Sequence, residues 1–356
     1  MVRSFRKGRN SMKVWIPGFL ITIGLFLSGG PALAERIHGA GSTFASPVIT
    51  QWSASHLKDR AGGDDIHLMN AGIDYEPVGS IGGIHRLGEP EMHFALSDVA
   101  LPPAELMKFG YVQFPIVIGG IVPVINLDGI GPGELRLSGA LLADIFLGKI
   151  RNWSDPAIAA LNPGLALPDL AITVVHRTYD SGSTFHWTSF LSRSSPEWKS
   201  RHGAATLIDW PVGVAAVRSA GMARVVKETK GAIGYIEYGQ VQRASLIYAA
   251  VDNHNGQPIR PHPRAFTTAT AELQWSADND FFISSIDAAS DGAYPLTAVT
   301  FVLLRREPLS ERAMWFFNFA LEKGAADAEA LGYAALPPAL VDQVRAYWMA
   351  ELGYGK

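Results

Sequence analysis

Short apolar segments alternate along this chain with longer segments in which apolar residues recur at helical spacing. Strands are predicted at residues 173–175, 232–236 and 246–251, and helices at residues 47–57 and 310–321. Strands that alternate with helices usually form βαβ units around a mostly parallel sheet. The pattern predicts an α/β fold, and a chain of 356 residues is long enough for two lobes.

Several predicted strands end in small polar residues that would begin the next helix. In an open α/β sheet, ligands bind beyond the carboxyl ends of the strands. Loops of this kind carry serine, threonine, glycine, aspartate or arginine at residues 39–44, 79–83, 97–98 and 177–184. We therefore expect a ligand site at such loops, while their spacing along the chain leaves open whether they meet in space.

The last of these loops carries the clearest chemistry. It reads HRTYDSGSTF from His176 to Phe185 and follows the predicted strand at residues 173–175. A strand-to-helix turn presents free backbone N–H groups at a helix N-terminus, where oxyanions bind. Arg177 adds a planar fork of charged donors. The stretch predicts an oxyanion site, and its alternative interpretation is a helix cap beside a surface arginine.

The N-terminus has the pattern of a secretory signal peptide. Residues 1–13 carry five basic side chains, residues 14–27 are mainly apolar, and Ala32-Leu33-Ala34 is a small-x-small cleavage site. We predict cleavage after Ala34, which would leave the rest of the chain free in the periplasm. The alternative is an uncleaved membrane anchor, for which the apolar segment is short.

The charge and the cysteine content exclude several classes of protein. Without residues 1–34 the chain has 25 basic and 33 acidic residues, a net charge of −8. Nucleic acid is not a predicted partner, because nucleic-acid-binding proteins usually have a basic surface. The chain has no cysteine, which excludes disulfides and thiolate metal sites, and its ten histidines show no metal-ligand spacing. No metal and no cofactor is predicted.

Taken together and in order, the motifs resemble the family of periplasmic phosphate-binding proteins that serve high-affinity phosphate ABC transporters. The resemblance extends over most of the chain after the signal peptide. It rests on GAGSTF (39–44), GSIGG (79–83), SD (97–98), FPIVIGG (114–120), IFLGKI (145–150) with NW (152–153), LNPG (161–164), RTYDSGSTF (177–185), WPVG (210–213), GAIGYIEY (231–238), YAALP (333–337) and QVR (343–345).

The resemblance implies a two-lobed class II periplasmic-binding-protein fold with two interlobe crossovers and a ligand cleft. Lobe one would comprise residues 35–124 and 298–356, and lobe two residues 125–297. A monomer would capture inorganic phosphate and deliver it to the membrane ABC permease without catalysis. The implied ligand groups are Thr43, the backbone of Phe44, Ser80 and Asp98 from lobe one, and Arg177, Ser181, the backbone of Gly182 and Ser183 from lobe two.

One departure from the family pattern concerns the arginine. The family usually has an aspartate two residues after it, which pairs with it, and this chain has Tyr179 there. The orientation of Arg177 is therefore open at this point.

The carboxylate of Asp98 indicates which anion the site would bind. A carboxylate beside an anion is favourable only when the ligand carries a proton to donate, and hydrogen phosphate has one at neutral pH whereas sulfate has none. Buried polar groups that the wrong ligand leaves unpaired discriminate by about 10⁴–10⁵-fold. We hypothesise that Asp98 selects phosphate over sulfate. The alternative is that Ser97 and Asp98 only cap a helix.

Other functions remain open from the sequence. The nearest is binding of a different tetrahedral oxyanion, such as sulfate or molybdate. A secreted phosphate-ester hydrolase would use Ser181 as its nucleophile, although no nucleophile-elbow motif surrounds that serine. An adhesive or sensory protein of the same fold would have no affinity for phosphate.

Overall fold

The structure of the protein, a computed structural model, describes residues 36–61, 72–283 and 288–355. The predicted signal peptide, residues 1–34, lies outside the described residues. Across those ranges, no helix is both long enough and apolar enough to cross a membrane. Strands alternate with helices through most of the described chain, so the predicted α/β class is confirmed.

The chain forms twelve strands and thirteen α-helices within the described ranges. The strands are β1 (Ile37–Gly41), β2 (Ile73–Glu76), β3 (Phe94–Ser97), β4 (Tyr111–Ile125), β5 (Arg136–Leu137), β6 (Thr173–Arg177), β7 (Val214–Ala216), β8 (Ala232–Glu237), β9 (Ile247–Tyr248), β10 (Ala250–Asp252), β11 (Pro258–Ile259) and β12 (Thr297–Arg305). The helices are α1 (Ser46–Ala61), α2 (Ser80–Arg86), α3 (Pro103–Phe109), α4 (Gly139–Phe146), α5 (Pro156–Leu161), α6 (Gly182–Ser194), α7 (Pro196–Arg201), α8 (Arg218–Glu228), α9 (Tyr238–Ala244), α10 (Pro263–Ala271), α11 (Glu311–Lys323), α12 (Ala325–Ala330) and α13 (Pro338–Tyr347).

The main sheet has the strand order β2-β1-β3-β12-β4-β8-β6-β7, and β9 also pairs with β4. Strands β2, β1 and β3 are parallel to one another, and so are β8, β6 and β7. The antiparallel strands β12 and β4 join these two parallel groups. A small second sheet has the order β11-β10-β5.

Strand β4 belongs to both parts of the main sheet. Residues 111–120 pair with β12, and residues 121–125 pair with β8. Every residue of β4 is buried, as is typical of a strand covered on both faces. The chain therefore passes from one part of the sheet to the other within β4. It returns beside the same point, where the Ile121 N–H donates to the Leu296 carbonyl just before β12.

An aromatic cluster fixes the elements around the Arg177 loop. The rings of Trp187 and Tyr235 stack with centroids 5.1 Å apart, and Phe146 packs 5.0 Å from Trp187. The Tyr235 hydroxyl lies 2.7 Å from the hydroxyl of Thr184 and accepts the Arg177 N–H over 3.4 Å. The cluster thereby ties the end of β6 to the first turn of α6.

One predicted strand differs from the structure. Residues 246–251 were expected to form one strand, but they form β9 and β10, which are separated at Ala249. The interruption occurs because β9 pairs with β4 in the main sheet while β10 pairs with β5 and β11 in the small one.

Candidate anion-binding site

The loops that the sequence marks as polar strand ends converge on one place. Asp98 follows β3, and its backbone N–H donates to the hydroxyl of Ser80, the first residue of α2, over 3.1 Å. Gly182, the first residue of α6, lies against both. A Cβ at that glycine would lie 2.6 Å from Ser80 Oγ and 2.8 Å from Asp98 Oδ2. The loop after β6 therefore touches the loops that precede α2 and follow β3.

Asp98 is the centre of a buried hydrogen-bond network. Ser42 Oγ lies 2.7 Å from each carboxylate oxygen, Thr300 Oγ1 donates to Oδ1 over 2.8 Å, and Ser80 Oγ donates to Oδ2 over 3.3 Å. Burial raises the pKa of the Asp98 carboxyl to about 6, and the three hydroxyls and Arg177 oppose that rise. At neutral pH the group is therefore mainly an ionised acceptor.

The network leaves the Asp98 carboxylate able to accept a further hydrogen bond. An ionised carboxylate offers about four lone-pair positions. The single hydroxyl proton of Ser42 is shared between both oxygens, and the contact from Ser80 to Oδ2 is long at 3.3 Å. Of the two carboxylate oxygens, Oδ2 is the one nearer to the Cβ position of Gly182. It can accept a hydrogen bond from a ligand held at the start of α6.

Arg177 is the buried cation of the site. It ends β6, is 2% exposed, and its Nε and Nη2 atoms are buried with no hydrogen-bond partner. Where the resemblance leads one to expect an aspartate, the ring of Tyr179 lies with its centroid 5.8 Å from the Arg177 Cζ. A buried donor without an acceptor costs about 1–3 kcal/mol, and more when it is charged. Two such donors on one guanidinium are suited to hold an anion.

The first turn of α6 supplies the remaining donors. Ser181 is the N-cap, and its hydroxyl oxygen accepts the Thr184 N–H over 3.5 Å. The first N–H groups of a helix have no acceptor within the helix, and they lie at the positive end of the helix dipole. Gly182 and Ser183 occupy these positions and are buried, as is Ser181. With Arg177, this turn forms a positively polarised wall.

Thr43 and Phe44 lie where the loop after β1 meets other elements. The Thr43 hydroxyl lies 3.4 Å from the hydroxyl of Ser219 in α8. The Phe44 carbonyl accepts the Tyr333 hydroxyl over 2.6 Å. The structure thus places the Ser42 hydroxyl at the Asp98 carboxylate, while Thr43, an expected ligand group, faces α8.

Some residues at the site were not assigned from the sequence. Ser42 belongs to the GAGSTF motif, and the direction of its side chain depends on Gly41, whose φ of 134° is poorly accessible to other residues. Thr300 is a hydroxyl residue within an otherwise largely apolar strand, and a β-bulge after it changes the register of β12 against β4. A hydroxyl residue in the buried interior of such a strand is a signal that the sequence did contain.

His186 and Glu237 were missed as well. The His186 Nε2 atom lies 2.6 Å from the Asp98 carbonyl, and burial lowers the pKa of the ring to about 4. The neutral ring therefore donates through Nε2. Glu237 ends β8, is 1% exposed, and its Oε2 atom has no hydrogen-bond partner. Burial raises the pKa of this carboxyl to about 7.

The architecture and the site define a class of protein. A model described as the PBP superfamily domain matches residues 28–323, so the chain belongs to the PBP superfamily. The predicted two-lobed class II periplasmic-binding-protein fold is thereby confirmed.

The similarity to two proteins named phosphate-binding protein PstS extends over most of the chain. The protein from Xylella fastidiosa is 42% identical over 320 residues, which cover 89% of this chain and 85% of that protein. The protein from Pasteurella multocida is 37% identical over 323 residues, which cover 90% and 91%.

A solved structure agrees on the fold. It is described as a high affinity periplasmic phosphate-binding protein (PfluDING) bound with phosphate. It superposes with a TM-score of 0.66 at 20% identity, over 87% of this chain and 93% of that one. The predicted resemblance to the phosphate-binding-protein family is confirmed by the two sequence relatives, and the structural likeness bears on the fold alone.

Proposed function

We propose that this protein is an exported solute-binding protein that captures inorganic phosphate and delivers it to an ABC permease. The observation that carries the proposal is a buried guanidinium with two free nitrogens, Arg177, in the same site as a buried carboxylate with free acceptor capacity, Asp98. The names of the sequence relatives support phosphate as the ligand. The signal-peptide pattern of residues 1–34 supports a periplasmic location after their removal.

In the proposed complex, phosphate bridges two lobes, residues 35–124 with 298–356 and residues 125–297. The Asp98 carboxylate accepts the ligand's proton. The donors are Thr43, the backbone of Phe44, Ser80, Arg177, Ser181, the backbone of Gly182 and Ser183. Hydrogen bonds to a charged ligand contribute about 1.5–3 kcal/mol each, so a few of them support binding of about −8 kcal/mol, which is micromolar. The ligand favours the closed arrangement because only that arrangement brings both sets of donors to it.

The alternative of ester hydrolysis has less support. Ser181 would be the nucleophile, yet its oxygen already accepts the Thr184 N–H as the cap of α6. Two histidines close to the site, His186 and His176, lie at backbone carbonyls, those of Asp98 and Arg177. We therefore propose a protein that binds phosphate and performs no chemistry on it. Turnover of a chromogenic phosphate ester by the purified protein would contradict this.

Calorimetric titration tests the proposed ligand. The purified protein is freed of bound ligand by unfolding and refolding, and is then titrated with phosphate, arsenate and sulfate. We expect a dissociation constant of about 1 µM or lower for phosphate, since this corresponds to about −8 kcal/mol. Arsenate should bind comparably because it also carries a proton. Sulfate binding as tight as phosphate binding would overturn the assignment and favour a general oxyanion binder.

A further inference from the structure

Glu237 has no role in the proposed phosphate complex, yet its neighbours lead to the proposed ligand groups. Ser219 donates to the Glu237 carboxyl and lies 3.4 Å from the Thr43 hydroxyl. Tyr333 interacts electrostatically with Glu237, and its hydroxyl donates to the Phe44 carbonyl. Glu237 therefore lies directly behind the loop that follows β1.

The same carboxyl lies beside the arginine of the site. Strands β6 and β8 are parallel neighbours in the sheet, and Arg177 and Glu237 are their last residues. Both side chains are buried, and the positive charge of Arg177 favours the ionised form of Glu237. They do not neutralise each other fully, because Nε and Nη2 of Arg177 and Oε2 of Glu237 are all buried without a partner.

Ionisable side chains from three segments of the chain interact with Glu237. Arg177 faces it from β6, Arg243 from α9, and the Tyr333 hydroxyl from the segment before α13. Asp98 interacts electrostatically with the same guanidinium. The guanidinium of Arg177 therefore acts on two buried carboxyls.

We propose that Glu237 is a positioning residue that balances the charge of Arg177 in the ligand-free protein and takes up a proton when phosphate binds. The inference rests on the proposed function, since it takes phosphate as the anion. Glu237 would then keep the net charge around the ligand cleft nearly constant as phosphate enters and leaves.

The direction of the effect follows from electrostatics. An anion bound to Arg177 repels an ionised Glu237 and weakens the attraction that kept Glu237 ionised, so its pKa rises on binding. Burial already raises the pKa of Glu237 to about 7 in the ligand-free structure, so this further rise crosses neutral pH. Protons are then taken up on binding, and the affinity for phosphate falls as pH rises above the ligand-free pKa.

The test compares the wild-type protein with Glu237→Gln, with Glu228→Gln as the matched control. Glu228 is at the end of α8, its side chain is 61% exposed, and it pairs only with Arg224 among the ion pairs of the described chain. Each protein is titrated with inorganic phosphate at pH 7 in buffers of different ionisation enthalpy, which yields the number of protons taken up. The titration of phosphate itself contributes equally to all variants, so the difference between variants isolates Glu237.

We expect Glu237→Gln to take up about half a proton less than the wild type at pH 7, and Glu228→Gln to match the wild type. Between pH 6 and pH 8.5, the affinity of Glu237→Gln relative to the wild type should rise by about tenfold or more, because the glutamine is neutral throughout. A variant that binds phosphate with unchanged proton uptake and unchanged pH dependence overturns the inference and leaves the proposed function intact. A wild-type protein that does not bind phosphate overturns both.

A second variant guards against a loss of folding in Glu237→Gln. Ser219→Ala removes the hydrogen bond that favours the ionised carboxyl. Glu237 should then be protonated before phosphate arrives, so proton uptake at pH 7 decreases while circular dichroism shows a folded protein. Unchanged proton uptake in Ser219→Ala would count against the role of Glu237.

Discussion

A buried carboxylate next to a bound anion is costly unless the ligand supplies a proton, and we therefore expect Asp98 to decide which anion the site prefers. Asp98→Asn replaces the acceptor oxygen by an amide that can also donate. We expect the preference for phosphate over sulfate to fall by about 100-fold or more, because the neutral amide no longer repels a fully ionised ligand. Competition calorimetry measures the ratio of the two affinities.

The control for this variant is Asp128→Asn, which makes the same chemical change at a side chain that is 84% exposed. Its ratio of phosphate to sulfate affinity should equal that of the wild type. An unchanged ratio in Asp98→Asn would show that shape and not proton acceptance selects the anion.

Arg177 illustrates a conflict between binding and stability at a single residue. Its two buried and unpaired nitrogens favour an anion but destabilise the ligand-free fold. Arg177→Met should lose at least about 100-fold in phosphate affinity. Arg177→Met combined with Glu237→Gln removes both buried charges, and this ligand-free double variant should gain about 1–3 kcal/mol in its free energy of unfolding. Calorimetry and urea denaturation measure the two quantities, and Arg224→Met, at a side chain that is 68% exposed, is the control. A ligand-free double variant that is less stable than the wild type would contradict this account.

Single residues also show what the sequence could and could not predict. The loops that hold Asp98 and Arg177 were predicted because polar residues after apolar strands have a known meaning in α/β sheets. The contact of the Ser42 hydroxyl with Asp98 could not be predicted, because it depends on the backbone of Gly41 in three dimensions. Glu237 follows the predicted strand at residues 232–236, and only the folded sheet shows that its strand neighbours that of Arg177.

Among the elements, helix α6 begins at Gly182, a position where a side chain would not fit. A methyl group at Gly182 would lie within 2.8 Å of the Asp98 and Ser80 side chains. Gly182→Ala should therefore weaken phosphate binding by roughly 10–100-fold, since the closed arrangement must open slightly at a cost of about 1–3 kcal/mol. The stability of the ligand-free protein should not decrease, because alanine is a better helix residue than glycine.

Gly221→Ala is the matched control for α8. A Cβ at Gly221 would meet its nearest atoms at 3.9 Å, which is ordinary van der Waals contact. This variant should bind phosphate as the wild type does. If Gly182→Ala binds equally well, the contact between α6 and the loops around Asp98 does not form in the bound protein.

The elements themselves were predictable to different extents. Strand β8 and helices α1 and α11 were predicted within a few residues. Strand β8 is a continuous buried run, and α11 carries apolar residues at helical spacing. The predicted strand at residues 246–251 was wrong as a single element, since its two halves pair with different sheets. The local sequence pattern does not show which sheet each half of this segment joins.

For the whole molecule, the contact of Gly182 with Ser80 and Asp98 indicates that the structure is the closed form. Phosphate at 100 times its dissociation constant should raise the free energy of unfolding by about 2.7 kcal/mol. The radius of gyration should decrease on binding, because the ligand stabilises the closed form. Small-angle scattering and thermal denaturation with and without phosphate measure both effects, and sulfate at the same concentration is the control. Equal compaction by sulfate would contradict the proposed selectivity.

The two-lobed architecture of the whole chain was predictable from the resemblance, because the matching motifs keep their order from residue 39 to residue 345. The sharing of β4 between the two parts of the sheet was not apparent, because a long apolar run has no feature that marks where it changes partner.

This shared strand restricts how the protein can be engineered. A polypeptide truncated after residue 120 would lose the β4 residues that pair with β8, and a fragment beginning there would lose those that pair with β12. Each fragment would present unpaired backbone groups along an apolar edge, which is a template for aggregation. Complementation by split halves is therefore a poor route to a fluorescent biosensor, and reporter dyes are better attached to surface turns of the intact polypeptide.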